Sequence, residues 1–131
     1  MNIFHTIAEL RAWRRSLIGT VGFAPTMGNL HDGHIACLHA AQIGTNHSVV
    51  SIFVNPTQFA PTDDFAKYPR TLDDDLKLLE ANGCDAVFVP SVDEMYPRSA
   101  STKVIAGSMA QGLEGDFRPG HFAGVATVCL K

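Results

Sequence analysis

Cysteine is scarce in this 131-residue chain. Cys37, Cys84 and Cys129 are scattered, and each lies in an apolar or helix-compatible context. Three such thiols do not make a disulfide framework and fit a reduced, cytoplasmic protein. No apolar run approaches the roughly 20 residues that a membrane-crossing helix needs, so no contact with a membrane is expected. Residues 1–5 lack a basic segment leading into an apolar core, and no secretion signal is expected. Positive charge is not in surplus either. Ten Lys and Arg against thirteen Asp and Glu leave a net charge of -3, which gives no electrostatic footprint for DNA or RNA. Histidine and cysteine do not cluster at metal-ligand spacing, so a protein-held metal is not expected. What remains is 46% hydrophobic and 18% charged, the composition of one folded domain of ordinary size.

The most informative stretch covers residues 21–34. An apolar run, Val21-Gly22-Phe23-Ala24, stops at Pro25 and passes through Thr26-Met27-Gly28-Asn29-Leu30-His31-Asp32-Gly33-His34 into the alanine-rich segment 35–41. Strand, loop and helix in that order form an anion site, because the first free N–H groups of the new helix and its positive dipole end face the loop. Gly28 and Gly33 lack side chains where the backbone must turn or approach a ligand, and Asp32 is expected to cap the helix. The His-x-Gly-His spacing of residues 31–34 is similar to the nucleotide-binding motif of nucleotidylyltransferases and class I aminoacyl-tRNA synthetases. Two imidazoles decorating a surface loop are the plain alternative.

The remaining elements alternate. Thr6-Ile7-Ala8-Glu9 is a capping box, and Leu10, Trp13 and Leu17 follow at helical spacing, predicting a helix over 6–17 and a strand over 20–24. The β-branched run 48–54 reads as a buried parallel strand, turned at its carboxyl end by Asn55-Pro56-Thr57-Gln58-Phe59. Residues 60–70 read as a surface loop. Thr71 is expected to cap a helix over 72–81, whose first-turn Asp73, Asp74 and Asp75 suit the helix dipole better than a metal, because adjacent aspartates diverge around a helix. A third strand is expected over 85–90 and a second capping box at 91–94. A strand over 102–105, a short helix over 107–113 and a final helix over 122–130 complete the reading. Repeated strand-helix alternation predicts an α/β fold with a Rossmann-like, doubly wound, mostly parallel sheet. In such sheets ligands lie beyond the strands' carboxyl ends, so the turns at 25–34 and 55–59 should share one crevice.

Four linked motifs carry a family resemblance. They are residues 25–34; Val49-Val50-Ser51-Ile52-Phe53-Val54-Asn55-Pro56-Thr57-Gln58-Phe59; Tyr68-Pro69-Arg70-Thr71; and Arg118-Pro119-Gly120-His121-Phe122-Ala123-Gly124-Val125. In this order they resemble the pantothenate synthetase family. The resemblance implies ATP-dependent condensation of (R)-pantoate with β-alanine through a pantoyl adenylate. Met27, Gly28, Asn29, Leu30, His31, Asp32, Gly33 and His34 would bind ATP, with His34 as proton donor. Gln58 would bind pantoate and border the β-alanine pocket. Asn55 would bind on the same turn or merely cap it, and His121 would join the site or belong to a structural turn. Met27 and Phe59 would offer apolar contact. Mg²⁺ would arrive as the ATP counter-ion, held by phosphates and water. A cytoplasmic homodimer is also implied.

Family members run to roughly twice this length. The expected domain is therefore residues 1–131, a Rossmann-like nucleotide-binding unit incomplete at its C-terminal end, with the family's lid domain and a second set of phosphate-binding residues absent. Little ligase turnover by the 131-residue chain alone is expected. Two alternatives remain: a non-catalytic nucleotide- or substrate-binding fragment, and a nucleotidylyltransferase acting on another small acceptor.

Overall fold

The computed structural model describes residues 1–61, 63, 65–98 and 100–131. Strands β1 (Asn2–Phe4), β2 (Val21–Thr26), β3 (His47–Ile52) and β4 (Ala86–Phe88) form one parallel sheet in the order β1-β4-β3-β2. The helices are α1 (Ile7–Ser16), α2 (Asp32–Gln42), α3 (Leu72–Ala81), α4 (Val92–Met95), α5 (Glu114–Phe117) and α6 (His121–Leu130), with single 3₁₀ turns at Pro56–Gln58, Phe65–Lys67 and Ser108–Ala110.

The sheet is covered on both faces because β3 alternates two apolar sets. Val50 and Ile52 join Ile35 and Leu38 of α2 and Leu79 of α3 on one face. On the other, Phe53 just past β3 packs with Phe88 and Met95, bordered by Ile7 and Leu10 of α1 and Val128 of α6. Burial on both sides is why β3 reads as a continuous apolar run. The doubly wound α/β expectation therefore holds.

The edges of the sheet account for two departures. Strand β2 continues through Pro25 to Thr26 instead of ending at Ala24. Proline is tolerated there because β2 is an edge strand, where a missing N–H on the outer side breaks no ladder bond. Strand β1 has no counterpart in the sequence reading. Three residues carry no periodicity, and β1 exists through its register with β4, Asn2 opposite Ala86 and Phe4 opposite Phe88.

The segment before α6 is less regular than expected. Residues 102–105 form no strand, and the Val104 N–H donates to Thr127 Oγ1 on α6 (2.9 Å) instead of to a neighbouring strand. The helix expected over 107–113 reduces to the turn Ser108–Ala110. Gly112 and Leu113 both take positive φ (79° and 46°), which stops a helix before α5 begins. The loop expected over 60–70 carries the turn Phe65–Lys67, while Thr62 and Asp64 lie outside the described residues.

A cleft between two strand-end turns

The turn leaving β2 is built on left-handed backbone. Thr26 Oγ1 donates to Ser51 O (2.7 Å) and accepts from the Gly28 N–H (3.2 Å), tying the start of the turn to β3. Gly28 (φ 82°) and Asn29 (φ 53°) then take two successive left-handed conformations. The next two N–H groups point at one carboxylate: Asn29 N donates to Asp75 Oδ2 (3.0 Å) and Leu30 N to Asp75 Oδ1 (2.8 Å).

His31, not Asp32, caps α2. Its Nδ1 accepts from the Gly33 N–H (3.1 Å), while the His31 N–H donates to His34 Nδ1 (3.3 Å). The two imidazoles act as the reciprocal pair of a capping box, and Asp32 is left as the first helical residue, its charge still favourable beside the positive end of the helix. Because both Nδ1 atoms accept, each neutral ring carries its proton on Nε2. The rings lie 4.2 Å apart, centroid to centroid. Loss of water around His34, followed by repulsion from His31, holds its pKa below the ordinary 6.5, while Asp75 pulls in the opposite direction.

The turn leaving β3 is held by neutral groups packed out of water. Asn55 is 1% exposed, and every polar atom of its side chain is used. Its Oδ1 accepts from Thr57 N (3.3 Å), Thr57 Oγ1 (2.9 Å) and Tyr96 Oη (2.9 Å), and its Nδ2 donates to Gln58 Oε1 (2.9 Å) and Gly124 O (3.2 Å). Gln58 is consequently fixed at its carbonyl end, and its Nε2 reaches Met27 Sδ at 3.1 Å. Helix α6 is pressed against the same turn. The His121 Nδ1–H donates to Gln58 O (2.9 Å), and a Cβ on Gly124 would stand 2.6 Å from Thr57 O.

Both turns open into one cleft of about 600 Å³ lined by Thr26, Met27, His34, Gln58 and Tyr68, which runs on along the sheet over Phe53 and the α6 face. That volume suits a small-molecule substrate. The lining is mostly apolar, and its polar members are Thr26, His34, Ser51, Gln58 and Tyr68 with the basic Arg11, Arg14 and Lys131. Of the residues singled out in the sequence, Met27, His34 and Gln58 meet in the cleft. His31 lies against His34 with the ring planes tilted by 53°, while Asn55 and His121 lie behind Gln58 and hold it. Phe59 is not among the lining residues and packs edge-on against Phe65 and Tyr68 (5.3 and 5.9 Å). Among the described residues, no three His, Cys, Asp or Glu converge as a metal site.

Asp75, Tyr96 and Gly124 support the site from positions that no sequence motif assigns to it. For Asp75 a trace was present. Leu72, Asp75, Leu76 and Leu79 share one helical stripe, which places an aspartate on the core-facing side of α3, where a buried charge requires partners. Thr71 also departs from expectation. Its hydroxyl makes no cap to α3 and donates to Asp75 Oδ1 instead (3.1 Å).

The family model described as pantoate-beta-alanine ligase matches residues 2–131. Pantothenate synthetase of Acidothermus cellulolyticus is 54% identical over 129 residues, covering 98% of this chain and 43% of that protein. The same enzyme of Roseiflexus sp. is 52% identical over 131 residues, covering 100% of this chain and 47% of its own length. The crystal structure of pantothenate synthetase from Thermus thermophilus superposes with a TM-score of 0.90 at 47% identity, covering 99% of this chain and 47% of that one. Pantoate-beta-alanine ligase from Francisella tularensis, described as complexed with beta-gamma ATP and beta-alanine, gives a TM-score of 0.92 at 41% identity over 99% of this chain and 51% of that one. The chain spans about half the length of the curated relatives it matches. With its fold, its paired strand-end turns and these matches in agreement, the chain belongs to the pantoate-beta-alanine ligase family.

Proposed function

We propose that these residues supply the part of an ATP-dependent ligase that grips the ATP phosphates and the acid to be activated, for condensation of (R)-pantoate with β-alanine. The observation that carries this reading is the opening of His34 and Gln58 into one cleft that Met27 also lines, its Sδ in contact with the Gln58 amide. A carboxylate is a poor acyl donor. Attack of a pantoate carboxylate oxygen on the α-phosphorus of ATP breaks the bond to pyrophosphate and leaves an acyl adenylate. The β-alanine nitrogen then attacks the acyl carbon, AMP departs with the bonding electrons, and the nitrogen loses a proton as the amide forms.

During the first step negative charge grows on the departing pyrophosphate. Donors already oriented toward it lower the barrier without reorganising. The Nε2–H groups of His31 and His34, standing at the positive end of the α2 dipole, are such donors, and His34, protonated beside bound phosphate, is the group to deliver a proton there and return to the neutral ring. Gln58, its carbonyl end held by Asn55, offers its Nε2–H to an oxygen of pantoate beside Met27. Asn55 and His121 act by fixing Gln58, since their own bonds are spent within the fold. Mg²⁺ enters with ATP as part of the substrate and partly neutralises the phosphates.

The test uses a full-length relative with the same motifs. Incubation with ATP and pantoate, without β-alanine, should release pyrophosphate, and His34→Ala should slow that release about 10²-fold, the range for loss of a positioned donor. A near-normal rate removes His34 from this role, and pyrophosphate release independent of pantoate favours a nucleotidylyltransferase. The 131-residue chain itself is expected to bind ligands with little turnover.

A cytoplasmic homodimer completes the proposal. Its support is the apolar surface before α6, where Ile105, Met109, Leu113 and Phe117 are each more than four-fifths exposed, together with three unpaired thiols. Sedimentation of the purified chain measures the association.

A further inference from the structure

We infer that Asp75 is the positioning residue of the phosphate-gripping turn: its carboxylate fills the anion-binding concavity formed by the Asn29 and Leu30 N–H groups and so fixes the backbone that delivers His34 to the cleft and His31 beside it. This rests on the reading of residues 27–34 as the turn that grips the ATP phosphates.

Consecutive N–H groups in a left-handed turn form a hollow that ordinarily holds a phosphate or another anion. Here the anion comes from α3, 45 and 46 residues further along the chain, and both carboxylate oxygens are engaged, at 2.8 and 3.0 Å. Thr71 Oγ1 supplies a third donor at 3.1 Å. Asp75 is 3% exposed, whereas its neighbours Asp73 and Asp74 are exposed. A helix-dipole role suits those two. It does not explain a carboxylate withdrawn from water and aimed at a different element, because burying a charge is unfavourable unless donors replace the lost water. The benefit falls on the turn. Asn29 sits at φ 53°, which a non-glycine residue keeps only where its surroundings over-determine it. A Cβ at Gly28 would lie 3.0 Å from both Asp75 Oδ2 and Ile52 Cγ2, so the backbone passes close over the carboxylate at a point suited to glycine.

Two consequences follow. The N–H groups of Asn29 and Leu30 are not available to ATP, so the phosphates meet the imidazoles and the start of α2, and residues 28–30 contribute their shape. Asp75 is also the acidic group acting on His34, opposite in sign to His31 on the same turn.

The experiment uses the ¹⁵N-labelled 131-residue chain, its Asp75→Asn and Asp75→Ala variants, and ATP with Mg²⁺ as the probe. In the unsubstituted chain the Asn29 and Leu30 amides should resist hydrogen exchange and keep their resonance positions when ATP is added, while the imidazole signals of His31 and His34 move. Asp75→Asn leaves one acceptor oxygen for two N–H groups. One amide should lose protection, the His34 titration midpoint should fall, and ATP affinity should drop at least tenfold while the β3 amides stay in place. Asn29 and Leu30 amides that exchange freely in the unsubstituted chain would overturn the inference whether or not either variant folds. ATP affinity in Asp75→Asn equal to that of the unsubstituted chain would overturn it too. If the unsubstituted chain does not bind ATP, the phosphate reading falls, and comparison of amide exchange between the unsubstituted chain and its Asp75→Asn variant still decides the positioning claim.

Discussion

The two turns that form the cleft are held in opposite ways. The turn after β2 is fixed by a charge. One carboxylate from α3 grips its backbone, and two imidazoles stand at the start of α2 with their Nδ1 atoms engaged in its cap. The turn after β3 is fixed by neutral hydrogen bonds and contact. Asn55 is saturated, α6 lies against Thr57, and Gln58 is held at both its backbone carbonyl and its side-chain oxygen. On the function proposed above, a turn that accepts a triphosphate gains from being shaped from behind, where the charge that shapes it does not compete for ligand donors. On the same proposal, a turn that recognises a small, weakly charged acid gains from rigidity, because a pinned amide presents its remaining donor in one direction.

The strongest way to break this contrast is to push α6 off the second turn. Gly124→Leu places a branched side chain where a Cβ already lies within 2.6 Å of the Thr57 carbonyl, and it should destabilise the chain by about 3 kcal/mol in urea denaturation. Pantoate binding should be lost with it, while the Asn29 and Leu30 amides keep their exchange protection. Next in size is Asn55→Ala, which strands Gln58 Oε1 and leaves Tyr96 Oη with Thr57 Oγ1 (3.3 Å) as its partner. It should cost roughly 2 kcal/mol and weaken pantoate binding more than ATP binding, measured by calorimetry with each ligand. Equal losses for both ligands would show that the turns are not separately supported.

The smallest effect is one of pH. Burial and His31 disfavour protonation of His34, so the unfolded chain takes up that proton first as pH falls below the ordinary value of 6.5. The stability contributed by neutral His34 is therefore full above that pH, and it is lost as pH falls from there through the lower pKa of the folded state. Bound phosphate reverses the preference by favouring the charged ring. ATP affinity should rise by about threefold to tenfold from pH 8 to pH 6, with proton uptake visible as a dependence of the binding heat on buffer ionisation enthalpy. The His34→Ala chain should lack that uptake.

How much of this was legible from sequence follows the same division. Helix α3 lies where its pattern placed it, and β3 differs from its apolar run by one or two residues at each end, because both are defined by their own side chains. Strand β1 and the irregular segment before α6 depend on distant partners or on individual backbone angles, which periodicity does not encode. In the cleft, Met27, His34 and Gln58 lie in motifs that are local and carry the family resemblance, and the placing of both strand-end turns in one crevice follows from the parallel sheet. The supports were not legible in this way. Asp75 resembles two ordinary helix-start aspartates beside it, and only its place on the stripe with Leu79 sets it apart. Asp32 looked like the cap of α2 because aspartate is the commoner capping residue, whereas here a histidine ring nitrogen fills that role. The close approach of Gly124 depends on how α6 crosses a turn more than sixty residues earlier in the chain.

The most direct measurement of the shared cleft is a two-ligand NMR titration of the 131-residue chain. ATP with Mg²⁺ should move the imidazole signals of His31 and His34 and the first amides of α2, and pantoate should move the Gln58 side-chain amide and the Met27 methyl group, with contacts between the two ligands once both are bound. Pantoate signals on Gln58 with ATP bound on the opposite face of the sheet, away from His34, would contradict a single site formed by the two turns.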